Sequence, residues 1–179
     1  GGIWVPVNAR NAIAENCYIL DNCDTEVLFY HGSFEPQIGQ IRAECPKIRH
    51  FVCLDKAGGH GVWLEDFIRD AAETDPDVAV SANDVVALFS SGGTTGRPKG
   101  VMLTNLNFTT MTANFAAAMP VDAPPVHLVI APMTHAAGCV AIALMPHGAT
   151  NVILPQFDAK AVMETIERER VTHLFLPPT

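Results

Sequence analysis

Short apolar, β-branched runs alternate along the chain with stretches whose apolar positions recur every three or four residues. The runs predict strands at Ile3–Val5, Val27–Tyr30, Phe51–Leu54, Val85–Ser90, Val101–Leu103, Leu128–Ala131, Val152–Leu154 and His173–Leu176. The periodic stretches predict helices at Ala12–Leu20, Pro36–Ala43, Trp63–Ala72, Leu106–Ala118, Gly138–Leu144 and Ala159–Arg170. The last is the clearest. Asp158 stands where a cap belongs, Ala159, Val162, Met163 and Ile166 make one face, and Glu164, Glu167, Arg168 and Glu169 make the other. Apolar strands flank it, which describes a βαβ unit with a parallel sheet buried on both faces. The expected fold class is α/β, a parallel-rich sheet with flanking helices. Loops are expected at Gly58–Gly61, Glu73–Asp77 and Pro120–Pro125.

Composition narrows this picture. The 179 residues are 49% hydrophobic and 17% charged, enough for one sizeable core and unlike a disordered chain. A net charge of −8 argues against binding a nucleic acid polymer, but not against a nucleotide, which needs only a local positive site. No apolar run has the length of a transmembrane segment and no charged-then-apolar leader opens the chain, so a soluble cytoplasmic protein is expected. Five cysteines without a CxxC pair read as free thiols rather than a zinc site. The ends, Gly1-Gly2-Ile3-Trp4 and Leu176-Pro177-Pro178-Thr179, lack a polar, fraying character. The expectation is an internal fragment, residues 1–179, whose partner is the remainder of the same polypeptide.

One segment carries chemistry. Phe89-Ser90-Ser91-Gly92-Gly93-Thr94-Thr95-Gly96-Arg97-Pro98-Lys99-Gly100-Val101 holds four glycines, two serines, two threonines and a lysine between two apolar strands. Glycines let successive backbone N–H groups converge and let a bulky anion approach, hydroxyls add donors, and Lys99 adds a mobile positive charge. This is the composition of a polyphosphate cradle. A bare glycine-rich turn is the competing reading; the lysine and the flanking strands weigh against it. The common P-loop pattern fails because Lys99 follows Pro98 and precedes Gly100. A dinucleotide loop fails because G-x-G-x-x-G is absent.

The segment resembles the signature loop of the adenylate-forming superfamily of acyl-CoA synthetases, luciferases and peptide-synthetase adenylation domains. That loop usually reads Thr-Ser-Gly-Ser/Thr-Thr-Gly-x-Pro-Lys-Gly. Ser91 takes the Thr position and Gly92 the Ser position, while Thr94, Thr95, Gly96, Pro98, Lys99 and Gly100 match. The resemblance extends along the chain. Gly2 to Arg10 is similar to the G-x-x-x-x-P-x-N-x-R segment of acyl-CoA ligases, and Ala131 to Gly138 to the Pro-x-x-His-x-x-Gly segment. Leu103-Thr104-Asn105 resembles the Leu-Thr-His after the loop, with Asn105 read as a cap for the following helix.

The resemblance implies part of the N-terminal domain of an adenylate-forming enzyme, with the C-terminal domain outside the chain. It implies ATP, Mg²⁺ and CoA as cofactors and co-substrates, and a fatty or aryl carboxylic acid as the small-molecule partner. It places Ser91, Gly92, Gly93, Thr94, Thr95, Gly96 and Lys99 on the phosphates, and His135 at the acyl and adenylate site. Two other readings remain open: an adenylation domain that loads a carrier protein, and a nucleotide-binding module without ligase activity. The remaining histidines have no spacing that assigns them a role, and Glu167-Arg168-Glu169-Arg170 reads as a solvated helix face.

In the full-length protein, Gly93→Val and Gly96→Val are expected to impair ATP-dependent pyrophosphate exchange more than Lys99→Ala. A β-branched side chain keeps the backbone away from the phosphates, whereas loss of one charged donor costs on the order of 1–3 kcal/mol. Unchanged exchange kinetics in both glycine variants would remove the phosphate assignment.

Overall fold

The computed structural model describes residues 1–56, 59–91 and 99–176. The chain divides into two compact units: Gly1–Val80 with Ser90–Val101, and Ser81–Phe89 with Met102–Thr179.

In the first unit, α1 (Ile13–Asn22) leads into β1 (Val27–Tyr30), then α2 (Glu35–Glu44), β2 (His50–Cys53), the short β3 (Val62–Trp63) and α3 (Leu64–Ile68). The sheet order is β1-β2-β3, with both pairings parallel. Helix α1 packs on α2. Ile38 and Ile41, three residues apart on α2, meet Cys17 and Leu20 of α1 and Tyr30, Phe51 and Cys53 of the strands in one buried cluster. Burial holds the Cys17 thiol up at about 12, helped by Glu44 and Cys45, so it stays protonated at neutral pH.

A carboxylate organises the end of this sheet. Glu35 accepts from the Tyr30 hydroxyl at 2.7 Å, from the His60 backbone N–H, and pairs with His60 Nδ1 at 2.8 Å. Arg42 lies over the Phe51 ring, 4.1 Å from its centroid, and donates to the His60 carbonyl at 2.6 Å. Asp55 takes the Gly32 backbone N–H, tying the segment after β2 to the one after β1.

Strands β4 (Val85–Ser91) and β5 (Lys99–Thr104) pair with one another; Ser90, Ser91 and Lys99–Val101 fall in the first unit and the rest of both strands in the second, where α4 (Asn105–Ala118) follows. Then come β6 (Val126–Val129), α5 (Ala136–Leu144), β7 (Thr150–Ile153), α6 (Ala159–Glu169) and β8 (His173–Leu174). Their sheet order is β7-β6-β8, with both pairings parallel. Two successive βαβ crossovers produce that order, as the alternating pattern predicts. His127 of β6 is fully buried and pairs through Nδ1 with Asn151 Oδ1 at 2.9 Å, its register neighbour on β7. Asp158 caps α6 by accepting from Ala161 N at 2.8 Å.

Several expectations need correction. Ile3–Val5 forms only an isolated bridge at Trp4, not a strand. The strand placed at Leu128–Ala131 begins at Val126 and ends at Val129, because its register is set by β7 at both ends. Trp63 ends β3 rather than starting a helix, and α3 stops at Ile68. None of its residues is buried, and a short helix without a buried face does not propagate. On α6 the inward residues are Val162 and Thr165, while Met163 is 67% exposed. The sheet is buried at β6 only; Ile153 of β7 and Leu174 of β8 are exposed edge residues.

The Glu35 contacts make stability depend on acid. The His60 N–H and the Tyr30 hydroxyl hold the carboxyl below its ordinary value of 4.5. Its contribution is therefore present above that pH and lost as pH falls through the folded-state value. Melting temperature measured against pH is expected to drop below about pH 4.5. Glu35→Gln should start lower at neutral pH and show a shallower acid limb. Parallel curves for the two proteins would exclude Glu35 as an organising group.

Candidate active site

The chemistry-bearing segment is anchored by its two strands. Ser91 is the last residue of β4 and Lys99 the first of β5, so the paired strands deliver the two ends of the segment. Gly92, Gly93, Thr94, Thr95, Gly96, Arg97 and Pro98 lie outside the described residues. Lys99 is exposed. Lys47, Arg49, Arg69, Lys160 and Arg168 each hold a carboxylate, whereas Lys99 enters no ion pair among the described residues. A Cβ at Gly100 would meet nothing within 4 Å, so packing does not require glycine there.

The far ends of these strands are locked together. Ser81 and Asp84 close a turn before β4, with Ser81 N donating to Asp84 Oδ2 at 2.7 Å. Three donors from the β5–α4 corner grip that turn. Asn105 N donates to Asp84 O at 3.1 Å, Asn105 Nδ2 to Ser81 O at 2.9 Å, and Leu106 N to Ala82 O at 2.8 Å. Asn105 is therefore not the helix cap. Thr104 is: its hydroxyl accepts from Asn107 N at 3.3 Å, and Asn107 Oδ1 accepts from Thr104 N at 2.8 Å. The Thr-x-x-Asn spacing was the signal that finds this box.

His135 lies in the second unit, between β6 and α5, at the N-cap position of α5. Its side chain makes no capping bond and is exposed, while its carbonyl accepts from Gly138 N at 2.9 Å. Gly138 is buried, and a Cβ there would overlap the Met133 carbonyl oxygen. The corner between β6 and α5 is thus closed backbone on backbone. This places His135 just past the carboxyl end of a central parallel strand, where open α/β sheets present ligand-binding groups. Cys139, next to this corner, is kept as a thiol by burial, which raises its pKa and disfavours it as a nucleophile. Among the described residues no cluster of three His, Cys, Asp or Glu fits a metal ion.

The family model for AMP-binding enzymes matches residues 1–179. The chain belongs to the AMP-binding enzyme family. Among its relatives, a (methyl-dioxo-octahydro-indenyl)propanoyl:CoA ligase of Mycobacterium tuberculosis is 33% identical, over 100% of this chain and 37% of that protein. A feruloyl-CoA synthase of Amycolatopsis is 31% identical, over 100% of this chain and 34% of that protein. Among solved structures, the inhibitor-bound N-terminal domain of FACL13 from Mycobacterium tuberculosis superposes with a TM-score of 0.82 at 31% identity. That match covers 93% of this chain and 41% of the other. The chain spans little more than a third of the length of the curated relatives. The α/β fold with parallel sheets is that of the N-terminal domains of adenylate-forming, AMP-binding enzymes.

Gly138→Ala is expected to destabilise this AMP-binding chain by about 1–3 kcal/mol, because neither backbone at the contact can give way. His135→Ala, at an exposed position, should change stability by less than about 0.5 kcal/mol. Chemical denaturation of both variants checks this; equal effects would mean that the corner is not set by the Gly138–Met133 approach.

Proposed function

We propose that the chain is part of the N-terminal domain of an AMP-forming acid–thiol ligase, an acyl-CoA synthetase, and supplies its phosphate-binding loop. The observation that carries this reading is the Ser91–Gly100 run, set between two strands that pair with each other and are locked at their far ends. In this reading a carboxylate oxygen attacks the α-phosphorus of ATP, pyrophosphate leaves, and an acyl-adenylate remains. The CoA thiolate then attacks the acyl carbon and AMP leaves. Ser91, Gly92, Gly93, Thr94, Thr95, Gly96 and Lys99 hold the β- and γ-phosphates, so that the leaving pyrophosphate gains charge against fixed donors. His135 orients the acid. Mg²⁺ supplies charge neutralisation on the phosphates when bound.

The substrate in this reading is a fatty or aryl carboxylic acid. The support is the Pro6-x-Asn8-x-Arg10 segment and the names of relatives, which include a feruloyl-CoA synthase and a long-chain-fatty-acid–CoA ligase. No helix among the described residues is long and apolar enough to cross a membrane, in keeping with a cytoplasmic enzyme.

Pyrophosphate exchange by the full-length protein is expected to depend on a simple fatty or aryl acid, with thioester forming once CoA is added. His135→Ala should lower the adenylation rate without lowering the melting temperature. Residues 1–179 alone are expected to form no thioester. Exchange that responds to amino acids and to no simple acid would transfer the chain to the carrier-loading class. Exchange with no acid at all would leave only the nucleotide-binding module.

A further inference from the structure

The sheet of the first unit ends at β1. The order β1-β2-β3 gives β1 one strand neighbour among the described residues. Successive backbone groups along a strand point to opposite sides, so alternate residues of a parallel strand serve opposite neighbours. Tyr30 O accepts from Leu54 N and Glu26 O from His50 N, so Glu26, Leu28 and Tyr30 serve β2. Phe29 therefore directs its N–H and C=O to the outer edge. Apolar edges of this kind are guarded in proteins by a lysine, a proline or a bulge. Val27-Leu28-Phe29-Tyr30 carries no such residue, its register is continuous, and Phe29 is 51% exposed.

A cleft runs along that edge. It touches Leu28 and Phe29, whose side chains point to opposite faces of the sheet, and no residue of β2 or β3, so it wraps the free edge of β1. Val7 and Ala9 also line it, as does Ile38 of α2, and no lysine, arginine, aspartate or glutamate does. Val7 and Ala9 continue the Ile3–Val5 run. That run has the composition of a strand, yet it makes only the bridge at Trp4. Strand composition needs neighbours on a sheet to become a strand. The FACL13 domain shares this fold and is matched over 41% of its length, so a domain of this kind has more than half of its residues elsewhere.

We propose that the cleft is a strand slot: a β-strand of the same polypeptide, from outside residues 1–179, inserts beside the Val7–Ala9 segment and pairs with β1 through the Phe29 backbone. The cleft reaches both faces at the edge of β1 and is lined by no charged residue. Its occupant is therefore an uncharged run, apolar on both sides and rich in β-branched residues, as in strands of parallel sheets. The inference concerns how the chain is completed and does not depend on the ligase reading.

The test uses the full-length protein with Phe29 replaced by p-benzoylphenylalanine. Irradiation is expected to give an intramolecular cross-link to an apolar, uncharged peptide outside residues 1–179. A cross-link to residues 81–179, a cross-linked dimer, or no cross-link overturns the proposal. Hydrogen exchange of the unsubstituted full-length protein provides a second readout. The Phe29 amide is expected to be protected to within about tenfold of the Leu28 amide, which serves β2. A Phe29 amide that exchanges freely while Leu28 stays protected overturns the proposal even where the cross-link forms. A helix or loop lying over the cleft would bury the Phe29 ring without taking its amide.

Discussion

A run of glycines and small hydroxyl residues cannot hold itself in place, because it has no side chains to pack and loses the most backbone freedom on ordering. Its position depends on the strands that carry it. Here β4 and β5 are locked by three hydrogen bonds between the Ser81–Asp84 turn and the Asn105–Leu106 corner. Two of the three come from backbone amides, so the lock tolerates substitution at Asn105 better than any single side-chain contact would. The Thr104–Asn107 box then starts α4 immediately beyond it, which stops β5 from continuing and fixes where the corner falls.

Parallel pairing sets the second constraint. Each parallel neighbour needs a crossover, so every strand end is followed by a turn into a helix or another strand on the same edge of the sheet. The two units solve that turn differently. In the first, charge does it: Asp55 takes the Gly32 amide and Glu35 takes the His60 amide. In the second, close approach does it: Gly138 lies against the Met133 carbonyl with no room for a Cβ. The carboxylate solution can be titrated, whereas the close approach has no ionisable group in it.

This difference governs what was legible in the chain. Strand β1 and helix α6 with its Asp158 cap were readable, because alternation and capping act within a few residues. The glycine-rich run stands out for a related reason: glycines expose backbone amides, so composition marks it as a candidate phosphate loop. The partner of a side chain was not readable. Asn105 looked like a cap because it is a capping residue type one position from the helix start, yet its amide reaches back to Ser81 across 24 residues. Met163 looked inward because it is apolar, although the packed face of α6 follows Val162 and Thr165. Asn16 is a polar residue type, and only the fold shows that it is buried. His135 is a candidate through its family segment alone; its exposure beside a closed backbone corner is visible only in the fold.

Charge supplies the remaining step from fold to proposed function. Bringing a carboxylate to a triphosphate joins two anions, on a chain whose net charge is already −8. Long-range attraction therefore cannot gather them, and the favourable field must be local. Most positive side chains near carboxylates are spent internally: Lys47 on Asp21 and Asp24, Arg49 on Glu26, Arg168 on Glu169. Lys99 makes no such pair among the described residues and begins β5, directly after the glycine-rich run. A phosphate arriving there meets an ammonium that has no carboxylate to abandon, so the full attraction goes into binding rather than into exchanging partners. In the proposed reading, a local positive site of this kind lets an acidic protein bind a polyphosphate at one place, which would confine the nucleotide to the strand pair.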